Sequence, residues 1–156
     1  ALRAAPQAIR RRDAALVCVI GAIGVHKGYD ILLACARDAE RRNLALRFVV
    51  VGHTIDDARL IATQRVFITG EYQPHEAQSL IAKHQPQLGF VPSVCPETWC
   101  LGLDELWRAG LATAAFDLGA PADRIRTTGR GFLLPLGLPV GAINNALLAA
   151  VRVSGQ

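Results

Sequence analysis

Short apolar runs along the chain alternate with longer segments in which the apolar residues keep helical spacing. Three of the runs are rich in β-branched residues and are closed by a glycine, namely 15–20 (ALVCVI), 46–51 (LRFVVV) and 66–69 (VFIT). Three more lie at 88–91 (LGFV), 111–116 (LATAAF) and 131–135 (GFLLP). Continuous apolar runs of this length are typical of strands buried on both faces of a parallel sheet. The pattern therefore predicts about six strands.

The segments between these strands predict helices. From Gly28 to Arg42, apolar and charged residues fall on opposite faces of a helix. Further helices are predicted at 74–83, 101–109 and 140–151, with a short helix or turn at 55–62. Pro74 suits a first helical turn, and Gly110 stands where a helix C-cap belongs. The alternation predicts a Rossmann-like α/β fold with a parallel sheet, helices on both faces and a ligand at the carboxyl ends of the strands.

The length of 156 residues predicts one globular domain. We assign 15–156 to this domain and 1–14 to a linker or hinge segment. The chain contains no Met, not even at position 1, which leads us to expect a piece of a longer protein. Hydrophobic residues make up 51% and charged residues 19%, a balance that suits a folded protein and argues against disorder. No apolar run approaches the roughly 18 to 20 residues of a membrane span.

Charge, cysteine and histidine content narrow the function classes. The net charge of +4 is compatible with a phosphate-bearing ligand or with an anionic membrane surface. No basic stripe is interleaved with aromatic residues, which argues against nucleic acid as a partner. The four cysteines and four histidines are scattered, so no metal site is predicted. Buried thiols in a reducing cytoplasm are the expected state of the cysteines.

The first candidate site is the loop 21–28, between a predicted strand and a helix. Gly21 and the other glycines allow close approach of an anion, and Lys27 adds a positive charge suited to a diphosphate. A tight turn with a solvated lysine explains the same residues about as well. The spacing matches neither of the common phosphate-loop patterns.

The second candidate site follows the fourth predicted strand and runs from Pro92 into a helix. Glu97 lies in the loop and Glu105 in the second helical turn, so both are predicted to face the crevice at the edge of the sheet. Carboxylates accept hydrogen bonds from ligand hydroxyls, while the amides of Trp99, Cys100 and Leu101 suit phosphate oxygens. The alternative is that Glu97 is a capping residue and Glu105 a solvated one.

The order of these pieces resembles a known family. Gly21 with Lys27-Gly28 is followed by Val51-Gly52, Thr69-Gly70, Pro92-Ser93, two glutamates separated by seven residues, and Ala109-Gly110. In this order the pieces resemble the C-terminal donor domain of the retaining GT-B glycosyltransferases of family four. The match runs from about residue 15 to residue 150. The resemblance implies a domain that binds a nucleoside-diphosphate sugar.

The resemblance also implies roles for individual residues. Lys27 would contact the diphosphate and Glu105 the ribose hydroxyls. Glu97 would be the catalytic residue facing the transferred sugar, and Gly70, Glu71 and Tyr72 would lie against the base. The family uses no metal ion or other cofactor, because lysine and helix amides neutralise the leaving diphosphate. A missing N-terminal domain would hold the acceptor. The implied setting is polysaccharide synthesis in the cytoplasm, either at the inner face of the membrane or away from it.

Three departures from the family pattern stand beside these implications. The loop 22–26 lacks the arginine that usually precedes the lysine, and Gly52 is followed by His53 and Thr54 where another glycine is usual. The segment 117–123 resembles the family's glycine-rich turn followed by an acid, but it has Asp123 where glutamate is usual. The alternative is that this segment is a plain turn. Two alternatives stay open: a nucleotide- or dinucleotide-binding module without transferase activity, and a degenerate domain kept for assembly.

The two tryptophans near the second candidate site have different expected roles. Trp107 falls on the apolar face of its predicted helix and is expected in the core. Trp99 is the better candidate for stacking on a sugar. His26 and His53 stand at strand ends, where an ordinary surface role is the simpler expectation.

Overall fold

The computed structural model describes residues 14–154, so most of the proposed linker 1–14 lies outside the described residues. The sheet has six strands, all parallel: β1 Ala15–Ile23, β2 Leu46–Thr54, β3 Val66–Ile68, β4 Leu88–Val91, β5 Thr113–Phe116 and β6 Gly131–Leu134. The helices are α1 Tyr29–Arg41, α2 Asp57–Ile61, α3 Ala77–His84, α4 Leu101–Arg108, α5 Gly119–Thr128 and α6 Val140–Ser154, with a 3-10 turn at Pro74–Glu76 before α3.

The strands lie in the order β3-β2-β1-β4-β5-β6. The chain moves outward in one direction from β1 to β3, then returns to place β4 on the other side of β1. This reversal leaves a crevice beside the carboxyl ends of β1 and β4, which is where open α/β sheets bind ligands. The predicted Rossmann-like fold is confirmed.

Helices cover both faces of the sheet, as the sequence predicted. Val17 and Val19 of β1 point into one core layer, which contains Leu32 of α1 and Leu147 of α6. Cys18, between those two valines, points into the opposite layer with side chains from α3, α4 and α5. The four inner strands β1, β2, β4 and β5 are therefore largely buried on both faces, whereas Phe67 on the edge strand β3 is 56% exposed.

The sequence led us to place Gly21 in a loop. In the structure β1 continues to Ile23, so Gly21 lies within the strand. The longer strand pairs with β2, where Gly21 stands opposite Gly52. A Cβ on Gly52 would lie 2.0 Å from the Gly21 carbonyl oxygen, and Gly52 has a φ of 136°. Only glycine allows this approach, so the strand pair extends past the point where glycine normally signals a turn. The loop to α1 is correspondingly short.

The expected turn at 117–123 is largely the first half of α5, which begins at Gly119. An amphipathic pattern is weak in this helix, since only Pro121, Ala122 and Ile125 of it are buried. Pro121 stands in the first turn, where a proline costs no hydrogen bond. Tertiary packing of these few residues, rather than an amphipathic pattern, explains the helix.

A buried polar cluster joins α1 to α6. The carboxylate of Asp38, 4% exposed, accepts hydrogen bonds from Arg42 Nη2 at 2.6 Å, Arg41 Nη2 at 2.7 Å and Asn144 Nδ2 at 2.9 Å. The hydrogen bonds from Arg42, assisted by those from Asn144 and Arg41, lower the pKa of Asp38 although burial opposes them. The cluster fixes α1, whose first residue follows the loop that carries Lys27.

Candidate active site

A cavity of about 840 Å³ lies at the carboxyl ends of β1 and β4. Its walls come from the end of β1, the loop after β4, the start of α4 and the segment before α3. Eight residues that the sequence singled out line it, namely Gly21, Lys27, Tyr72, Glu97, Trp99, Cys100, Leu101 and Glu105. The structure thus brings both candidate sites into one space, although they are far apart in the sequence.

A second cavity of about 480 Å³ adjoins the first and shares Gly21, Ala22 and Tyr72 with it. Glu71 and His53 line this second cavity. Gly70 lines neither of the two, and its N–H donates to the Gly52 carbonyl oxygen at 2.8 Å. Of the three residues expected against a base, Glu71 and Tyr72 therefore face open space and Gly70 supports the backbone.

Lys27 and Glu97 form an ion pair at the mouth of the larger cavity. Glu97 is the more buried partner, with 13% of its side chain exposed against 49% for Lys27. Ser93 Oγ donates to the other oxygen of Glu97 at 3.2 Å. Lys27 keeps enough exposure to meet an anion from solvent, while Glu97 is held in place on two sides.

The loops that carry Lys27 and Glu97 are packed against each other. A Cβ on Gly28, which has a φ of 93°, would lie 2.0 Å from the Pro92 carbonyl oxygen, so glycine is needed there. Val94 N–H donates to the His26 carbonyl oxygen at 3.1 Å, and His26 Nδ1 lies 3.0 Å from Cys95 Sγ. This packing, rather than the ion pair alone, sets the position of Lys27.

The cysteines differ in burial, which corrects part of the expectation that all four are buried thiols. Cys18 and Cys35 are buried, whereas Cys95 and Cys100 are partly exposed. All four are free thiols in the described structure. Two thiols therefore lie within reach of solvent beside the candidate site.

The start of α4 forms one wall of the cavity. Cys100, the residue before the helix, has the left-handed backbone angles φ 74° and ψ 86°. Gly102 packs closely over the end of β1, where an added Cβ would be 3.0 Å from Ile20 Cγ2. The first amides of a helix have no acceptor inside it and carry partial positive charge. The close packing places these amides at the rim of the cavity.

Glu105 lies in α4 and is oriented by Gln78 of α3. Gln78 Nε2 donates to Glu105 Oε2 at 2.5 Å and to the Glu105 carbonyl oxygen at 3.0 Å. Arg108 contacts Glu105 Oε1 at 3.2 Å. Burial, and then the nearby Glu105 carboxylate, raise the pKa of Tyr72, so its hydroxyl stays protonated at neutral pH. The carboxylate and the phenol together form a polar wall that can bind hydroxyl groups.

Arg124 of α5 was not singled out from the sequence, because α5 itself was not predicted. Its guanidinium pairs with Asp104 and stacks 3.9 Å from the centre of the Trp99 ring. One face of Trp99 is therefore already covered, which leaves less of the ring for a sugar than the sequence suggested. Trp107 is 6% exposed, and its predicted place in the core is confirmed.

Residues 14–154 contain neither a cluster of metal-ligating side chains nor a membrane-spanning helix. No group of three or more His, Cys, Asp or Glu side chains in this part of the chain could hold a metal ion. No helix within it is both long enough and apolar enough to cross a bilayer.

No protein-family model matches the sequence. The chain is 32% identical over 124 residues to a GDP-mannose-dependent alpha-mannosyltransferase of Mycobacterium tuberculosis (strain CDC 1551 / Oshkosh). The alignment covers 78% of this chain and 30% of that protein, so the chain spans less than a third of this relative's length.

Solved structures show the same fold. HepE of Anabaena in complex with UDP and glucose has a TM-score of 0.72 at 16% identity, over 97% of this chain and 44% of HepE. TarM of S. aureus, in a complex that includes UDP, has a TM-score of 0.70 at 18% identity, over 90% of this chain and 29% of TarM. The chain is one half of a GT-B fold. The GT-B resemblance stated from the sequence is confirmed. The cavity of this GT-B domain lies at the carboxyl ends of β1 and β4, where the strand order predicts a crevice.

Proposed function

We propose that this GT-B domain binds the nucleoside diphosphate of a sugar donor in the 840 Å³ cavity. The convergence of Lys27, Glu97, Glu105 and the start of α4 around one space carries the proposal. A cation and helix amides suit a diphosphate, and carboxylates suit sugar hydroxyls. The similar proteins support the same class of ligand. The mannosyltransferase is named as GDP-mannose-dependent, and the TarM and HepE complexes contain UDP.

Each wall of the cavity has its own part in the proposal. Lys27 and the amides at the start of α4 take up negative charge on the diphosphate as it leaves, and no metal ion is required for this. Glu105, oriented by Gln78, accepts hydrogen bonds from the ribose hydroxyls. Glu71 and Tyr72 lie beside the base. Glu97 faces the transferred sugar once the phosphate has drawn Lys27 away from it.

We further propose that the reaction is glycosyl transfer with retention of anomeric configuration, completed by a second domain that holds the acceptor. The chain spans only 30% of its curated relative, which leaves room for such a domain in a longer protein. The fragment alone is then expected to bind the donor without appreciable turnover, because only one side of the reaction centre is assembled. The cytoplasmic setting and contact with the membrane stay predictions.

Calorimetric titration of the 156-residue chain with UDP, GDP, dTDP and NAD tests the proposal. We expect one nucleoside diphosphate to bind in the millimolar range or better, equally well with EDTA and with Mg²⁺. Lys27→Ala and Glu105→Ala should each weaken it about tenfold, which corresponds to about 1.4 kcal/mol. Arg37→Ala and Glu40→Ala, exposed positions of α1 outside the cavity, are the matched controls.

Four results would contradict the proposal in whole or in part. Failure of every nucleoside diphosphate to bind would remove the donor site, and unchanged binding by both cavity variants would place it elsewhere. Binding of NAD without nucleoside diphosphate would favour the dinucleotide-binding alternative. A requirement for Mg²⁺ would contradict the metal-free part of the proposal.

A further inference from the structure

Arg124 lies behind the wall of the cavity that α4 forms, and its side chain is 16% exposed. Besides pairing with the Asp104 carboxylate, its Nη1 donates to the Trp99 carbonyl oxygen at 3.1 Å and to the Cys100 carbonyl oxygen at 3.3 Å. Trp99 Nε1 donates to the other oxygen of Asp104 at 2.7 Å. Arg124, Asp104 and Trp99 thus form a closed ring of contacts around the start of α4.

These contacts determine which way two amide groups point. In a trans peptide the C=O and the following N–H point in opposite directions. Because the carbonyls of Trp99 and Cys100 are directed at Arg124, the N–H groups of Cys100 and Leu101 point away from it. Cys100 and Leu101 line the cavity and Arg124 does not. The guanidinium therefore turns the two N–H groups towards the side on which the ligand would lie.

The backbone at this point needs such support. Cys100 adopts φ 74° and ψ 86°, a left-handed conformation that is strained for a residue with a Cβ. No side chain caps α4 at this position. Arg124 does not cap the helix; it donates to the carbonyl oxygens of Trp99 and Cys100, and its stacking on the Trp99 ring also holds the segment.

We propose that Arg124 is a positioning residue for the diphosphate-binding segment 99–101, a role that rests on the proposed function of the cavity. Its charge is neutralised by Asp104, so Arg124 acts through the geometry of the backbone rather than by attracting the diphosphate. Lysine keeps the charge but lacks the planar fork that reaches two carbonyls and a carboxylate together. Arg124→Lys therefore separates geometry from charge.

The test compares UDP or GDP, whichever the parent chain binds, with the corresponding nucleoside, in calorimetric titrations of the full chain. Arg124→Lys should weaken the diphosphate at least about fivefold and leave nucleoside affinity unchanged, because the nucleoside makes no contact with the amides at the start of α4. Asp104→Asn should give the same selective loss, and the double variant should lose little more than either single one. Arg126→Lys, an exposed position of the same helix, is the matched control and should bind like the parent.

Amide hydrogen exchange in the ligand-free chain supplies a second measurement. Segment 99–101 should exchange faster in Arg124→Lys and Asp104→Asn, while the strands β1 and β4 keep their protection. Equal diphosphate affinity in Arg124→Lys and the parent would overturn the inference and leave the proposed function standing. An equal loss of affinity for the nucleoside and for the nucleoside diphosphate would show that Arg124 has only a general structural role, which would also overturn the inference. A parent chain that binds no nucleoside diphosphate would overturn both proposals.

Discussion

Lys27 and Glu97 meet across the mouth of the cavity, one from the loop after β1 and the other from the loop after β4. The lysine that we propose binds a diphosphate is therefore already partnered by a carboxylate, and an incoming phosphate would have to compete with it. The pair, together with the hydrogen bond from Ser93, also holds Glu97 in place, with only 13% of its side chain exposed.

Replacing Glu97 by Gln should tighten the binding of a nucleoside diphosphate without sugar. The substitution removes one negative charge beside Lys27, and a gain of about threefold to tenfold is expected at low ionic strength. The gain should shrink in 0.5 M salt because ions screen the pair. Glu40→Gln makes the same charge change at a distance and should leave affinity unaltered. Weaker binding by Glu97→Gln would mean that the carboxylate itself contacts the nucleotide.

Gln78→Leu should disturb Glu105 without removing it. Glu105 loses the amide that holds both its carboxylate and its carbonyl oxygen, so the affinity for a nucleoside diphosphate should fall about threefold to tenfold. Affinity for inorganic pyrophosphate should not change, because it has no ribose. Both affinities are measurable by calorimetry. Ser79→Ala, on the exposed side of α3, serves as the control, and a parallel loss of pyrophosphate binding would contradict the role given to Gln78.

Asp38→Ala should destabilise the domain by about 3 kcal/mol, since it leaves Arg42 and Asn144 without their buried carboxylate partner. The folded state lowers the pKa of Asp38 below its ordinary value of 3.8, so its contribution is present above that pH and is lost as the pH falls through the lower folded value. Urea unfolding at pH 7 and at pH 3 should show the difference between parent and variant shrinking in acid. Glu40→Ala, exposed on the same helix, should cost little at either pH, and a pH-independent difference would contradict the ionic role.

Thiol labelling should separate the four cysteines into two pairs. Burial raises the pKa of Cys18 and of Cys35 to about 12, so at pH 8 about one in ten thousand of these thiols is ionised. Cys95 and Cys100 are partly exposed, and burial raises the pKa of Cys100, so N-ethylmaleimide should label Cys95 first. Peptide mapping by mass spectrometry assigns the sites, and urea should expose all four. A bound nucleoside diphosphate should slow labelling of Cys100. Rapid labelling of Cys18 in the folded chain would show that the structure around β1 opens locally.

The sequence by itself determined the class of fold and the edge of the sheet that carries the candidate site. Its apolar runs predicted six strands, and the run 88–91 coincides with β4, because a strand buried on both faces needs an unbroken apolar run. Lys27 and Glu97 could be singled out because each lies in a loop after a predicted strand, and Glu105 because it lies in the second turn of the helix that follows the same loop as Glu97. The parallel topology then required them to share one edge.

Only the tertiary structure decided how these residues are held. The pairing of Lys27 with Glu97 depends on the packing of Gly28 against Pro92, and the place of Gly21 within β1 depends on its glycine partner across the sheet. Gln78 and Arg124 lie in α3 and α5, and nothing in their local sequence marks them. Their importance comes from carbonyl and carboxylate groups that are distant in the chain. Hydrophobic periodicity records which face of an element is buried, whereas the partners of a polar side chain are set by where the folded elements meet.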